Sequence, residues 1–136
     1  MATYQIFTDG GSRGNPGHAA CAFVVYDSQN KLIHQASFLL GITTNNVAEY
    51  SAVLKSLDWI TSESTVTFYL DSLLVVKQLR GEYKIKDPKL QELSKNILLK
   101  IENCKLKISF VHIPREKNTV ADLLVNKTLD GEHENE

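Results

Sequence analysis

The fold is decided by residues 8–17, which read Thr8-Asp9-Gly10-Gly11-Ser12-Arg13-Gly14-Asn15-Pro16-Gly17. The β-prone segment Tyr4-Gln5-Ile6-Phe7 precedes this stretch, so we predict a first strand over residues 4–9 that ends in the carboxylate of Asp9. Glycine lets backbone N–H groups approach a ligand without an intervening Cβ, and Pro16-Gly17 is typical of a turn. Two interpretations follow: a metal or phosphate site at a sheet edge, or a glycine-rich hairpin turn beside a solvated aspartate.

The composition indicates one globular domain. The chain has 136 residues, of which 43% are hydrophobic and 23% are charged, and it is long enough to bury a core. Its longest apolar run covers residues 19–26, far short of the ~18 residues of a membrane span, and no secretion signal opens the chain. Cys21 and Cys104 lie in apolar stretches, which favours free thiols over a single disulfide. We therefore expect a cytoplasmic protein without a membrane partner.

The net charge of −1 conceals an uneven distribution. Residues 77–107, here called the basic segment, contain nine Lys and Arg residues against four acids. A local basic face suits the binding of a phosphate backbone. The alternative interpretation is a solvated helix of mixed charge.

Hydrophobic periodicity and turn residues predict the order βββ-α-β-α-α-β-α, which favours a mixed sheet with helices on its faces. After the first strand, we predict strands over residues 19–26, 32–40, 66–70 and 106–111. The predicted helices run from residues 43–46 to about 60, over 73–79, from Pro88 to about Cys104, and from a capping Thr119 onward.

The last helix carries a prediction about packing and one about the domain boundary. Val120, Leu123 and Leu124 are expected to face the core. We place the domain at residues 1–130 and expect residues 131–136 to form a disordered acidic tail.

Four acids occupy places where open α/β sheets form ligand sites. Asp9 and Asp71 end predicted strands, whereas Glu49 and Asp122 lie in the first turns of helices. Glu49 shares the edge of the face that carries Val53, so its carboxylate needs a partner or a metal. Four such groups would repel one another unless cations neutralised them, and all-oxygen ligands favour Mg²⁺ or Mn²⁺. The alternative, that each acid is a helix cap or a solvated loop end, explains Asp122 well and Glu49 poorly.

The chain resembles the type 1 ribonuclease H (RNase HI) family, in its short form without the basic protrusion. Residues 8–17 are similar to the family's first-strand signature, and Thr44-Asn45-Asn46-Val47-Ala48-Glu49 resembles its TNN-x-x-E motif. Leu70-Asp71-Ser72 resembles its strand-end DS pair, and residues 114–118 with Ala121-Asp122 resemble the last-helix motif of short members. The four matches follow in the family's order and span residues 4–129.

This resemblance implies an α/β fold of the RNase H type, with a five-stranded mixed sheet and helices on both faces. It also implies endonucleolytic cleavage of the RNA strand of RNA–DNA hybrids, leaving 5′-phosphate and 3′-hydroxyl ends. By position, the metal-binding catalytic acids would be Asp9, Glu49, Asp71 and Asp122, with two Mg²⁺ or Mn²⁺ ions once substrate is bound. The residues that would touch the hybrid are Gly10, Gly11, Ser12, Arg13, Asn15, Asn45 and Asn46.

The chain departs from the family pattern at two places. Leu73 stands where a glutamine usually follows the DS pair. His112 has the spacing of the family's catalytic histidine but directly ends a predicted strand, so Arg115 is the favoured candidate for assisting the reaction. The alternative functions are a catalytically silent nucleic-acid-binding module and a related nuclease acting on double-stranded RNA. We expect a monomer.

Overall fold

The structure is a computed structural model that describes residues 1–134, with side chains described up to residue 131. Within these residues the strands are β1 (Ala2–Gly14), β2 (Gly17–Tyr26), β3 (Leu32–Thr43), β4 (Ser64–Leu70) and β5 (Lys107–His112). The helices are α1 (Asn45–Trp59), α2 (Leu73–Leu79), α3 (Pro88–Asn103) and α4 (Thr119–Glu134), and a 3₁₀ turn covers Arg115–Lys117. No helix in this described part of the chain is long and apolar enough to span a membrane.

The strands form one mixed sheet in the order β3-β2-β1-β4-β5. β1, β2 and β3 pair as an antiparallel meander, while β4 runs parallel to β1 and β5 runs parallel to β4. The predicted α/β class with a five-stranded mixed sheet is therefore confirmed. The parallel pairs matter for function because they bring the carboxyl ends of β1, β4 and β5 to the same side of the sheet.

The alternating side chains of β2 show how helices cover the two faces. Phe23 and Val25 belong to the large core cluster, which includes residues of α1, α2 and α3. Ala20 and Ala22 instead pack with α4 in a second, smaller cluster. Because alanine side chains are short, they allow the α4 backbone to lie close to this face of the sheet.

The predicted inward face of α4 is right for Leu124, which packs against the smaller cluster, and wrong for the other two residues. Val120 and Leu123 are 41% and 54% exposed, and the residues that α4 buries are Ala121, Val125 and Leu129. The latter three recur every four residues, so they form one stripe on the helix. This rotation turns the next position, Asp122, toward the cleft that Val125 and Leu129 also line. The helix orientation therefore follows from the small alanines beneath it and from the placement of Asp122.

The ends of α4 also differ from expectation. The backbone N–H of Asp122 donates to the carbonyl of Asn118, so Asn118 occupies the position before the helix and Thr119 is its first residue. At the other end the backbone remains helical through Glu134, where we expected a tail from residue 131. A glycine within a helix costs only about 1 kcal/mol relative to alanine, so Gly131 does not have to end α4. The remainder of the predicted tail, residues 135 and 136, lies outside the described residues.

The first strand is longer than predicted. β1 continues past Asp9 to Gly14, and the pairs run from Asp9↔Ala22 to Gly14↔Gly17. The glycine-rich stretch is therefore the arm of a hairpin whose turn contains Asn15 and a cis Pro16. The hairpin interpretation is right about the backbone, but Asp9 is buried instead of solvated.

Candidate active site

The sheet register brings Asp9 and Asp71 together. The last residue pair between the parallel strands β1 and β4 is Phe7↔Tyr69. Asp9 and Asp71 each lie two residues beyond that pair, so both emerge at the same edge. β1 continues there only in partnership with β2, which leaves the space beyond the end of β4 open to the two carboxylates.

Gly10 allows the third carboxylate to join them. A Cβ on Gly10 would lie 2.2 Å from the backbone carbon of Ala48, which is far inside van der Waals contact. The first turns of α1 therefore approach β1 closely because residue 10 has no side chain. Thr44 caps this helix by accepting a hydrogen bond from the N–H of Val47 at 3.2 Å. Helix start and close approach together place Glu49 beside Asp9.

Three of the four predicted acids form a compact cluster. One carboxylate oxygen each from Asp9, Glu49 and Asp71 lies within 4.8 Å of the others. The carboxylate of Asp122 lies close enough to Asp9 to form a side-chain hydrogen bond with it when one of the two is protonated. The exposed fractions of Asp9 and Glu49 are only 6% and 7%. The fold therefore concentrates negative charge in a largely dehydrated place.

The pKa values reflect this concentration. Burial, followed by the charges of Asp71 and Asp122, raises the pKa of Asp9 to about 8. Burial and the charges of Asp9 and Asp71 raise the pKa of Glu49 well above its ordinary value. The backbone N–H of Gly10 opposes both shifts through hydrogen bonds to the carboxylates.

The donor set fits a divalent cation. Glu49 Oε2 is buried and has no hydrogen-bond partner among the described residues, so this oxygen is available to coordinate a cation. The other atoms that could coordinate the cation are also carboxylate oxygens, which favours a hard ion such as Mg²⁺ or Mn²⁺ over zinc or copper. A cation here would satisfy the orphaned oxygen and relieve the repulsion within the cluster.

An open cleft of about 440 Å³ lies over the cluster. All four predicted acids line it, as do Arg115 and every predicted substrate contact except Asn15. Asn15 is exposed at the tip of the hairpin, where its Oδ1 accepts from the backbone N–H of Asn45 at 3.0 Å. Asn45 Oδ1 in turn accepts from the backbone N–H of Ser12 at 2.8 Å. Asn15 therefore fixes the hairpin tip to the start of α1 in this structure.

The two candidates for assisting the reaction occupy different places. Arg115 lies in the 3₁₀ turn before α4 and lines the cleft. His112 is exposed at the end of β5, where it pairs with Leu70, and it is not among the residues that line the cleft. The strand therefore holds the histidine outside the cleft while the following turn brings the arginine into it.

Sequence reasoning missed several residues of the site. The cleft is also lined by Ser72, Val125, Asn126 and Leu129. Asn126 supports Arg13, whose guanidinium also forms a 2.7 Å ion pair with Asp130. Asn118, which belongs to the last-helix motif, received no role although it contacts Asp71 directly. Its position four residues before Asp122 was the available signal.

Comparison with known proteins agrees with this arrangement. Residues 7–128 match the family described as reverse transcriptase-like. The chain is 35% identical over 129 residues to the bifunctional protein Rv2228c of Mycobacterium tuberculosis, covering 93% of this chain and 35% of that protein. It is 34% identical to ribonuclease HI of Halobacterium salinarum, covering 93% of this chain and 64% of that protein. The chain therefore spans about a third to two thirds of these relatives' lengths.

A solved structure extends the likeness. LC11-RNase H1, which was isolated from compost by a metagenomic approach, has been solved in complex with an RNA/DNA hybrid. It superposes with a TM-score of 0.85 at 41% identity, covering 91% of this chain and 94% of that one. The sheet order and the carboxylates at the β1–β4 edge thus define a ribonuclease H fold. Within that class, the chain belongs to the type 1 ribonuclease H family.

Proposed function

We propose that this chain is a metal-dependent endoribonuclease that cleaves the RNA strand of RNA–DNA hybrids, leaving 5′-phosphate and 3′-hydroxyl ends. The observation that carries the proposal is the cluster of Asp9, Glu49 and Asp71, with oxygens within 4.8 Å of one another at the base of an open cleft. The hybrid complex of the 41% identical LC11-RNase H1 supports the same substrate class for this chain.

The four acids are assigned to metal binding. Asp9, Glu49, Asp71 and Asp122 would hold Mg²⁺ or Mn²⁺, with two ions once the hybrid is bound. Bound cations of this kind activate the attacking water and stabilise the leaving oxygen in phosphoryl transfer. The chain itself supplies the fixed geometry, because β1, α1 and α4 each carry one carboxylate and Asp71 directly follows the end of β4.

The upper part of the cleft is assigned to the substrate. Gly10 lines the cleft but is buried under α1, Gly11 is half-buried, and Ser12, Asn45 and Asn46 supply polar groups. Such groups can reach 2′-hydroxyls in the wide, shallow minor groove of a hybrid, and the 2′-hydroxyl is what distinguishes RNA from DNA. Arg13 and Arg115 also line the cleft and supply positive charge for phosphate oxygens. Asn15 would act through Asn45, which it holds.

The oligomeric state and location are further parts of the proposal. We propose that the protein acts as a monomer in a reducing compartment, the cytoplasm. Cys21 and Cys104 are free thiols, and burial raises the pKa of Cys21 to about 12, which keeps it unreactive. The free thiols and the unreactive Cys21 both suit a chain that folds without a disulfide in a reducing compartment.

The decisive experiment compares three duplexes of equal length and sequence. End-labelled RNA–DNA hybrid, double-stranded RNA and double-stranded DNA are each incubated with Mg²⁺, Mn²⁺ or EDTA, and the product ends are mapped. A Glu49→Gln variant purified in parallel reports contaminating nuclease. We expect cleavage of the hybrid's RNA strand alone, only with a divalent ion. Binding of hybrid without cleavage would support a catalytically silent nucleic-acid-binding module. Equal cleavage of double-stranded RNA would support a related nuclease that acts on double-stranded RNA.

A further inference from the structure

Asn118 is buried in the loop that leads into α4, with only 1% of its surface exposed. Its side-chain amide Nδ2 donates two hydrogen bonds. One goes to the backbone carbonyl of Thr8 at 2.8 Å, and the other goes to Asp71 Oδ2 at 3.1 Å. The same amino group therefore joins the residue preceding Asp9 to the carboxylate of Asp71.

The chemistry of the partners fixes the orientation of this amide. A backbone carbonyl and a carboxylate both accept hydrogen bonds, so the NH₂ group must face them and the amide oxygen must face away. Asn118 Oδ1 is buried without a hydrogen-bond partner among the described residues. A buried acceptor left unsatisfied is costly, which indicates that the side chain is held by what its amino group does.

The backbone of Asn118 makes a third link. Its carbonyl accepts the N–H of Asp122 at 3.2 Å, which is the first hydrogen bond of α4. One residue thus contacts the segments that carry Asp9, Asp71 and Asp122. Glu49 is positioned separately, through the close approach of α1 to Gly10.

We propose that Asn118 is a positioning residue whose side chain sets the carboxylate of Asp71 for cation binding, next to the start of the helix that carries Asp122. This inference rests on the proposed metal-dependent function. The bond to Oδ2 fixes the rotamer of Asp71 and leaves its other oxygen for a cation. A neutral donor suits this task because a lysine in the same place would add a positive charge that competes with the ion. Groups of this kind orient metal ligands, and their loss costs about 10–100-fold in metal affinity or activity.

The test uses two substitutions and one control in the full chain. Asn118→Ala removes both donated bonds, whereas Asn118→Asp keeps the shape but replaces the donor with another carboxylate beside Asp71. Ile97→Val, a conservative change in the buried face of α3, serves as a mildly destabilised control away from the cleft. For each protein we would measure the rise in melting temperature with Mg²⁺, the Mg²⁺ concentration for half-maximal hybrid cleavage, and the hybrid Kd in EDTA.

We expect both Asn118 variants to need about 10–100-fold more Mg²⁺ and to show a smaller Mg²⁺-dependent rise in melting temperature. Asn118→Asp should be the more impaired, because it adds negative charge to the cluster. The hybrid Kd in EDTA should change by less than about twofold, since the residue is buried below the binding surface.

Several results would overturn the inference. Variants with the Mg²⁺ response of the wild type would show that Asn118 does not position metal ligands. Variants that stay unfolded even at high Mg²⁺ would show a purely structural requirement. Failure of the wild type itself to respond to Mg²⁺ would instead refute the proposed function, so the two failures are distinguishable.

Discussion

Asp9→Asn should make the metal-free protein more stable while it abolishes cleavage. The pKa of Asp9 is raised from 3.8 to about 8, mainly by burial and then by the charges of Asp71 and Asp122. The folded protein therefore holds a proton that the unfolded chain releases above pH ~4. Because the folded state binds more protons in this window, its stability falls as the pH rises from about 4 to about 8.

The magnitude follows from the same two values. Because pH 7 lies about 3 units above the unfolded pKa of 3.8 and still below the folded pKa of about 8, roughly 4 kcal/mol of stability is lost there, at about 1.4 kcal/mol for each pH unit. An asparagine of the same shape does not titrate and so avoids that loss, but burying its polar amide has a cost of its own. We therefore expect the variant to be more stable than the wild type by about half of the loss, or ~2 kcal/mol, which corresponds to a rise of roughly 5–10 °C in melting temperature.

The assay is thermal unfolding in EDTA at pH 5 and pH 8. The melting temperature of the variant should exceed that of the wild type by more at pH 8 than at pH 5. The exposed acid Glu63 offers a control, because Glu63→Gln removes one negative charge outside the site and should leave the difference near zero. In Mg²⁺ the wild type should gain stability and the Asp9 variant should gain much less.

The activity arm uses the same preparations. An amide cannot supply the negative charge that a cation ligand provides, so hybrid cleavage should fall below about a thousandth of the wild-type rate, as for loss of an essential charged group. The reasoning is refuted if the folded variant cleaves hybrid within about tenfold of the wild type. It is equally refuted if the variant melts below the wild type in EDTA at pH 8.

Three further outcomes follow from the geometry. Gly10→Ala should destabilise the protein by about 2 kcal/mol or more and abolish cleavage, because the added Cβ would lie 2.2 Å from the backbone of Ala48. Thermal unfolding followed by circular dichroism measures the loss of stability, and the hybrid assay measures the loss of cleavage. Arg115→Ala should lower kcat more than His112→Ala at saturating hybrid across pH, and the reverse order at unchanged melting temperature would reassign the roles. A triple alanine variant of the basic segment should flatten the dependence of hybrid Kd on salt concentration, whereas an unchanged slope would make the segment a solvated surface. The positions replaced are Lys84, Lys86 and Lys89.

The carboxylates could be found in the sequence because each follows from a local rule. Asp9 and Asp71 follow β-prone runs, and Glu49 lies at the edge of an apolar helical stripe. The end of β4 and both ends of α2 could be predicted in the same way, since they depend on short-range patterns and a capping Ser72, which accepts from the N–H of Val75, whereas β4 begins two residues earlier than predicted. Local chemistry thus predicted which acids line the cleft.

What the sequence did not predict depends on contacts between distant segments. The glycines of β1 resemble a loop, but pairing with β2 keeps them extended to Gly14. α4 carries apolar residues on more than one side, and the side that is buried packs against the small alanines of β2. Asn118 is an ordinary loop residue by pattern, and its burial follows from the meeting of β1, β4 and α4. Tertiary contacts therefore decided strand length, helix rotation and the role of a buried amide.

These contacts explain how the fold can hold an arrangement that is unfavourable by itself. The carboxylates repel one another, yet Gly10 and Asn118 leave their segments little freedom to separate. A cation at a concentration of about 1,000 times its Kd would stabilise the folded state by ~4 kcal/mol, similar to the loss estimated for Asp9 at pH 7. A site that is rigid without the ion does not need to be ordered when the ion arrives, so little of the binding free energy is lost to reorganisation. The repulsion within the cluster and the preorganisation of the proposed metal site are therefore two consequences of the same backbone geometry.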